Sequence, residues 1–262
     1  MVGAMDVDAY LSRIGAVRPA APTSAALAAL HRAHVLSVPF EDYDIHTGRR
    51  ISLRLADVHH KIVRRRRGGY CYELNGLFAE LLRELGFAVT LVSAFSLDDD
   101  GVRGPGFEHL RLLVDAVDGR WIADVGNGAR WTAPVPLRPG VHGAVQVHRH
   151  DDVWWTSERR GDGGWERGWA WTSQPRTLAE FADRNRYQQH DPGSDFVGRR
   201  IAVLATERGR ITLLNGVFTE VDGERRTDRP VGAAEEWALL ADRFGIVLDR
   251  SWAERVPQLT PC

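Results

Sequence analysis

Apolar side chains recur at helical spacing through the first third of the chain. Val7, Tyr10, Leu11 and Ile14 make one short face that Gly15 closes. A second helix is expected after the Pro19 to Pro22 stretch, with Thr23 or Ser24 as its N-cap and Leu27, Leu30, His31 and His34 on one side. Pro39 breaks that run within Val38-Pro39-Phe40-Glu41-Asp42-Tyr43, where Phe40 and Tyr43 read as packed aromatics, and Phe40 has the option of facing a substrate. A third helix is predicted over Leu55 to Arg66. The strongest stripe follows: Leu74, Leu77, Phe78, Leu81, Leu82 and Leu85 recur at spacings of three and four before Gly86.

From Phe87 the period shortens. Ala88 to Leu97 is rich in β-formers, and Asp98-Asp99-Asp100-Gly101 is a loop signal. His109 to Asp115 alternates as a strand, and Asp118-Gly119 is a hairpin turn into Trp121 to Val125. Short strands continue to about Trp171. Six of the nine tryptophans lie between Trp121 and Trp169, and they read mainly as barrel and core packing. Thr177 to Gln189 is expected to be a connecting helix, followed by strands Arg200 to Thr206, Ile211 to Leu214 and Val217 to Val221. A helix from Ala233 to Phe244, with Gly245 after it, closes the pattern. The chain therefore divides into helical residues 1–87, strands over 88–175, a helix within 176–195 and a mixed unit over 196–262.

Composition narrows the function classes. The 262 residues are 44% hydrophobic and 26% charged, which suits a globular protein with a substantial core. A net charge of −1 gives no general pull towards nucleic acid or an anionic membrane surface. No apolar run approaches the ~20 residues of a spanning helix, and Met1 to Tyr10 carries Asp6 and Asp8 instead of a signal-peptide core. A cytoplasmic location is expected. Two cysteines, Cys71 and Cys262, make neither a disulfide framework nor a metal site, and no histidine motif of metal-binding type is present. The one dense basic run, Arg64 to Arg67, reads as a solvated helix end, with an anion site as the alternative.

The chemistry concentrates at Arg67-Gly68-Gly69-Tyr70-Cys71-Tyr72-Glu73-Leu74-Asn75-Gly76. Cys71 falls at the start of the most amphipathic helix, where unpaired N–H groups carry partial positive charge and favour thiolate over thiol. A lone cysteine is commonly a small buried hydrophobe. Downstream, however, His109 and Asp124 occupy strand positions on one hairpin. A thiol, an imidazole to move its proton and a carboxylate to orient the imidazole are the parts nucleophilic catalysis needs.

These motifs resemble those of the arylamine N-acetyltransferase family, over nearly the whole chain. The family's R-G-G-x-C-x-E pattern is present as Arg67 to Glu73, with Asn75 also matching; P-F-E is Pro39-Phe40-Glu41; the strand bearing the histidine is Glu108-His109-Leu110; and the D-V-G-F-G loop is Asp124-Val125-Gly126-Asn127-Gly128. The opening Tyr10-Leu11-x-Arg13-Ile14-Gly15 is also similar. The resemblance implies an α+β fold: an N-terminal helical bundle, a β-barrel domain and a C-terminal α/β lid, around a papain-like Cys-His-Asp core. It implies a triad of Cys71, His109 and Asp124, with Phe40, Tyr70, Glu108, Gly126, Asn127 and Gly128 around the substrates. It further implies ping-pong acetyl transfer to an arylamine or hydrazine, with no bound cofactor and with acetyl-CoA, or another acyl thioester, as co-substrate.

Three positions depart from the family pattern. Asn127 replaces an aromatic residue, Asp42-Tyr43 replaces Asn-Leu, and Glu108 replaces a small polar residue. Each is expected near the substrates, and Asn127 is expected to enlarge the acceptor pocket. The runner-up reading is an amide synthase that releases a polyketide from an acyl carrier protein onto an arylamine. A cysteine hydrolase and a non-catalytic ligand-binding relic are the remaining alternatives.

Overall fold

The computed structural model describes residues 5–98, 100–161 and 163–248; Cys262 lies outside them. Two capped helices open the chain, α1 (Val7–Ile14) and α2 (Ser24–Ser37). Asp6 accepts from the Ala9 N–H and Thr23 from the Ala26 N–H, so each side chain satisfies a donor that the helix leaves free. A two-residue strand β1 (Phe40–Glu41), the single turn α3 (Tyr43–His46) and α4 (Leu55–His59) follow. The spacing predicts one regular helix to Arg66, but α4 widens into a π-helical turn over His60–Arg64. There the Arg65 N–H reaches back to His60 O at 2.9 Å, and Arg66 takes a left-handed φ of 52°. α5 (Cys71–Glu84) then buries the predicted stripe.

Eight antiparallel strands come next: β2 (Ala88–Phe95), β3 (His109–Ala116), β4 (Gly119–Ala123), β5 (Val135–Pro136), β6 (Gly140–His142), β7 (Val145–His150), β8 (Val153–Arg159) and β9 (Trp165–Thr172). Their order, β5-β4-β3-β2-β9-β8-β7-β6, makes a barrel-like sheet. The expected connecting helix begins as a 3-10 turn (Leu178–Phe181) and continues as α6 (Ala182–His190), with a further turn α7 (Asp195–Gly198).

A second sheet, ordered β1-β10-β11-β12-β13, is built from β10 (Ile201–Thr206), β11 (Gly209–Leu214), β12 (Val217–Asp222) and β13 (Arg225–Pro230), and α8 (Ala233–Phe244) packs on it. β13 escapes the sequence pattern because all six of its residues are exposed and it has no apolar alternation. Pairing with β12 makes it a strand. β1 joins this sheet from 160 residues upstream through the pair Phe40–Val203.

The largest apolar cluster runs from α1, α2 and α5 into Leu91, Leu110, Leu112 and Val114 of β2 and β3, so α5 is seated directly on the barrel-like sheet. A separate cluster that includes Trp131, Trp154 and Trp171 fills that sheet's other side. Among the described residues, no helix is long and apolar enough to cross a membrane.

Candidate active site

Cys71 is the first residue of α5 and is 3% exposed. Its two preceding glycines are demanded by close approach. A Cβ at Gly68 would lie 2.1 Å from Pro39 O, and one at Gly69 would lie 2.8 Å from Glu73 Oε2. That Glu73 oxygen accepts the Tyr70 N–H at 3.2 Å, capping the helix one residue before Cys71.

Glu73 is itself held by Lys61 Nζ at 2.9 and 3.0 Å. Lys61 also reaches Asp44 at 2.9 Å. Arg67 donates from Nε to Glu41 at 3.0 Å and from Nη2 to Asp44 at 3.1 Å. The charged members of both sequence motifs thus form one buried ion cluster beneath the helix start. Burial drives the Glu73 carboxyl up to about 7 against the opposing pull of Lys61. Arg67 is part of this structural core, whereas Arg64, Arg65 and Arg66 are exposed, as a solvated helix end requires.

β3 begins at His109, and β4 ends one residue before Asp124, with Leu112 opposite Ala123. The two residues therefore share one end of the strand pair, and His109 Nε2 meets Asp124 Oδ2 at 2.8 Å. Asn75, one helical turn beyond Cys71, binds this end to the helix. Its amide donates to Leu110 O at 2.7 Å and Asp124 Oδ1 at 2.9 Å, and its oxygen accepts the Val125 N–H at 2.9 Å. Gly126 lies so close that a Cβ there would be 2.7 Å from Cys71 Cα. The Leu110 and Tyr72 main-chain N–H groups act on the Cys71 thiol to lower its pKa. The Asp124 end of the strand pair, with His109 hydrogen-bonded to it, is thereby held against the start of α5 at Cys71.

The electrostatics of the three differ. Burial works to raise the Asp124 carboxyl, but His109, Arg111 and Asn75 together hold it well below the usual carboxylate range. At Cys71 burial and then the Asp124 charge push the thiol up, against the helix start and the Tyr72 and Leu110 N–H groups, which act the other way. Behind Asp124, His31 is buried and accepts the Asp124 N–H at 3.3 Å; burial lowers it to about 4, so it is neutral. Trp169 stacks on His109 with ring centres 5.3 Å apart. Asn75 carried a motif signal, but the placement of His31 and Trp169 had none.

The remaining predicted residues divide. Phe40 is half-buried against Phe196, with ring centres 6.3 Å apart. Tyr70 is wholly buried, its hydroxyl donating to Asn185 and its ring against Tyr72 and Phe196. Glu108 accepts from Ser96 N–H at 2.7 Å and Ser96 Oγ at 2.9 Å, so its carboxylate braces the β2–β3 connection. Asn127 Oδ1 accepts the main-chain N–H of Arg130 at 2.9 Å and of Trp131 at 3.4 Å, which makes it the clasp of its own loop. Gly128 adopts φ 68° with open space around it.

Asp42 and Tyr43 depart from expectation. Both are fully buried, with Asp42 accepting the Ile201 N–H at 2.8 Å and Tyr43 donating to Glu236 at 2.9 Å. They fasten β1 to the second sheet.

An N-acetyltransferase family model matches residues 23–253. The arylamine N-acetyltransferase of Mycolicibacterium smegmatis is 33% identical over 258 residues, covering 94% of this chain and 93% of its own length. The chain belongs to the arylamine N-acetyltransferase family. A solved structure of the M. smegmatis enzyme aligns with a TM-score of 0.89 at 32% identity, covering 96% of this chain and 97% of its own. The Mycobacterium marinum enzyme in complex with CoA aligns with a TM-score of 0.87 at 27% identity, covering 95% and 97%. The mixed helical and barrel-like architecture is thus the family's fold. None of the relatives named here is an amide synthase, so the polyketide alternative and its carrier-protein partner gain no support.

Proposed function

We propose that this chain transfers the acetyl group of acetyl-CoA to an arylamine or hydrazine nitrogen, by a ping-pong route through a thioester on Cys71. Cys71, His109 and Asp124 form its papain-like triad, and the second sheet with α8 serves as the lid. The observation that carries this reading is the hydrogen-bonded His109–Asp124 pair, which Asn75 ties to the helix that begins at Cys71.

Asp124 is held ionised and can only accept, so His109 keeps its proton on Nε2 and offers Nδ1 as a base. Because the resting thiol is pushed up, the nucleophile forms as its proton moves to Nδ1 during attack on the thioester carbonyl. Main-chain N–H groups at the start of α5 face the oxyanion that develops. The carbon–sulfur bond to CoA breaks, and the departing thiolate takes the proton from His109. In the second half the amine attacks the Cys71 thioester, gives its proton to His109 and leaves as the amide, and the proton returns to sulfur.

A phosphate-bearing donor also fits the charge distribution. A cleft of about 720 Å³ on the face of the second sheet opposite α8 is lined by Arg199, Arg210 and Arg226, with Asp195 and Asp228, the latter paired with Arg226. The Arg210 side chain is half-buried, forms no ion pair or hydrogen bond among the described residues, and feels the like charges of Arg130 and Arg226 and the opposite charge of Glu158.

Intact-mass measurement with acetyl-CoA tests the proposal. One acetyl group is expected on Cys71, stable in buffer and discharged by an arylamine. Discharge by water as fast as by amine would instead make the protein a hydrolase, and an unmodified Cys71 would remove the ping-pong route.

A further inference from the structure

Arg111 is 0% exposed in the interior of the barrel-like sheet, where an arginine needs a specific reason to be. It lies two residues after His109 on β3, so both side chains leave the same face of the strand. Its Nε donates to Asp124 Oδ2 at 3.1 Å, the same oxygen that His109 Nε2 meets at 2.8 Å. Its Nη1 donates to Thr156 Oγ1 at 3.3 Å, and its Nη2 has no hydrogen-bond partner. In place of water, the guanidinium has two indole faces, Trp131 at 4.7 Å and Trp171 at 4.8 Å. Trp169, two residues before Trp171 on β9, covers His109 in the same way.

We propose that Arg111 is a positioning residue for the triad: clamped between Trp131 and Trp171, it fixes the Asp124 oxygen that orients His109 and sets the pH window in which Cys71 reacts. The proposal rests on the acetyl-transfer reading above. The charge acts on both partners of the proton transfer. A fixed cation beside the Asp124 carboxylate favours the deprotonated form of the groups that face it, so it draws both limbs of the reactivity profile to lower pH. The other groups facing the triad are Tyr70, Tyr72, Glu73 and Asn75 at the start of α5, neutral His31 from α2, and Glu158 from β8, whose charge acts on Arg111. None of them is a second cation at Asp124.

The test is the pH dependence of Cys71 alkylation by iodoacetamide, read by peptide mass, in wild type, Arg111→Met and Arg111→Lys. Arg111→Met is expected to move both limbs up by about one pH unit and to slow acetylation on the order of a hundredfold. Arg111→Lys is expected to restore the limbs while recovering only part of the rate. Slower reaction with unmoved limbs in Arg111→Met would mean mere packing and overturn the proposal.

A measurement on folded wild type guards against a variant that does not fold. The Arg111 Nε–H resonance should exchange slowly across the neutral range and lose that protection in Asp124→Asn. Free exchange in wild type would equally overturn the proposal. Alkylation needs no acetyl donor, so a wild type that is not acetylated by acetyl-CoA would defeat the functional reading and leave this test intact.

Discussion

Asn127 has a loop-holding role in the fold beside the pocket role that its sequence context suggests. Its sequence context suggests a missing aromatic wall, and so a wider pocket. In the fold its oxygen holds the main-chain N–H groups of Arg130 and Trp131, and Trp131 is one of the two indoles over Arg111. Asn127→Phe should therefore orphan two donors, at about 1–3 kcal/mol for each that stays unsatisfied, and loosen the turn that carries Trp131. We expect a lower melting temperature and slower Cys71 acetylation, whereas Asn127→Asp, which keeps the acceptor, should stay near wild type. Thermal unfolding and single-turnover acetylation of both variants would check this. A Phe variant as stable as wild type, with improved turnover of small arylamines, would restore the simple pocket-wall role.

The start of α5 depends on a neighbouring element that is itself irregular. The π turn after α4 and the left-handed Arg66 bring Lys61 and Arg67 to Asp44, Glu73 and Glu41. A regular helix through Arg66 would carry these residues round to other faces. Removing one cation leaves buried carboxylates uncompensated, so Lys61→Met should cost about 3–5 kcal/mol at neutral pH. The sign of the pH effect follows from Glu73. Its folded pKa, already driven up to about 7 by burial, rises further without Lys61. A carboxyl raised in the fold is favourable below its unfolded value of about 4.3 and is lost as pH rises through the folded value. Lys61→Met should accordingly lose least stability in mild acid and most in mild base. Melting curves on both sides of neutrality would show it, and a gap to wild type that widened towards acid would contradict the assignment.

At the scale of the whole molecule, the cleft proposed for the donor lies on the polar face of the second sheet, opposite α8. Alternation along β11 sends Ile211 and Leu213 into the core and Arg210, Thr212 and Leu214 to the cleft. Arg210→Glu should raise the KM for acetyl-CoA by about tenfold or more, the equivalent of ~1.4 kcal/mol. It should leave the rate with a small, uncharged acetyl thioester nearly unchanged, because the charge serves the phosphates and not the acetyl carbon. Equal losses with both donors in steady-state kinetics would place the phosphates elsewhere.

Periodicity alone disclosed α1, α2, α5 and α8, the β3–β4 hairpin and the three apolar strands of the second sheet, because burial of one face leaves a repeat in the chain. It could not disclose β13, whose residues are all exposed and whose partner is supplied by β12. It predicted a regular helix where the chain makes a π turn, because buried ion pairing outweighed local preference there. Cys71, His109 and Asp124 stood out in the sequence because their motifs place a thiol, an imidazole and a carboxylate in recognisable local settings, and the fold pairs the last two by a hydrogen bond. The resting state of the thiol was not legible there, since burial and the Asp124 charge depend on what surrounds Cys71 in space. Tertiary contact alone decided that Asn75 would tie the three together, that His31 would stand neutral behind Asp124, and that Arg111 would share its oxygen with His109. Each of these acts through a hydrogen bond between residues distant in the chain or paired across strands, and a one-dimensional pattern carries no record of such a distance.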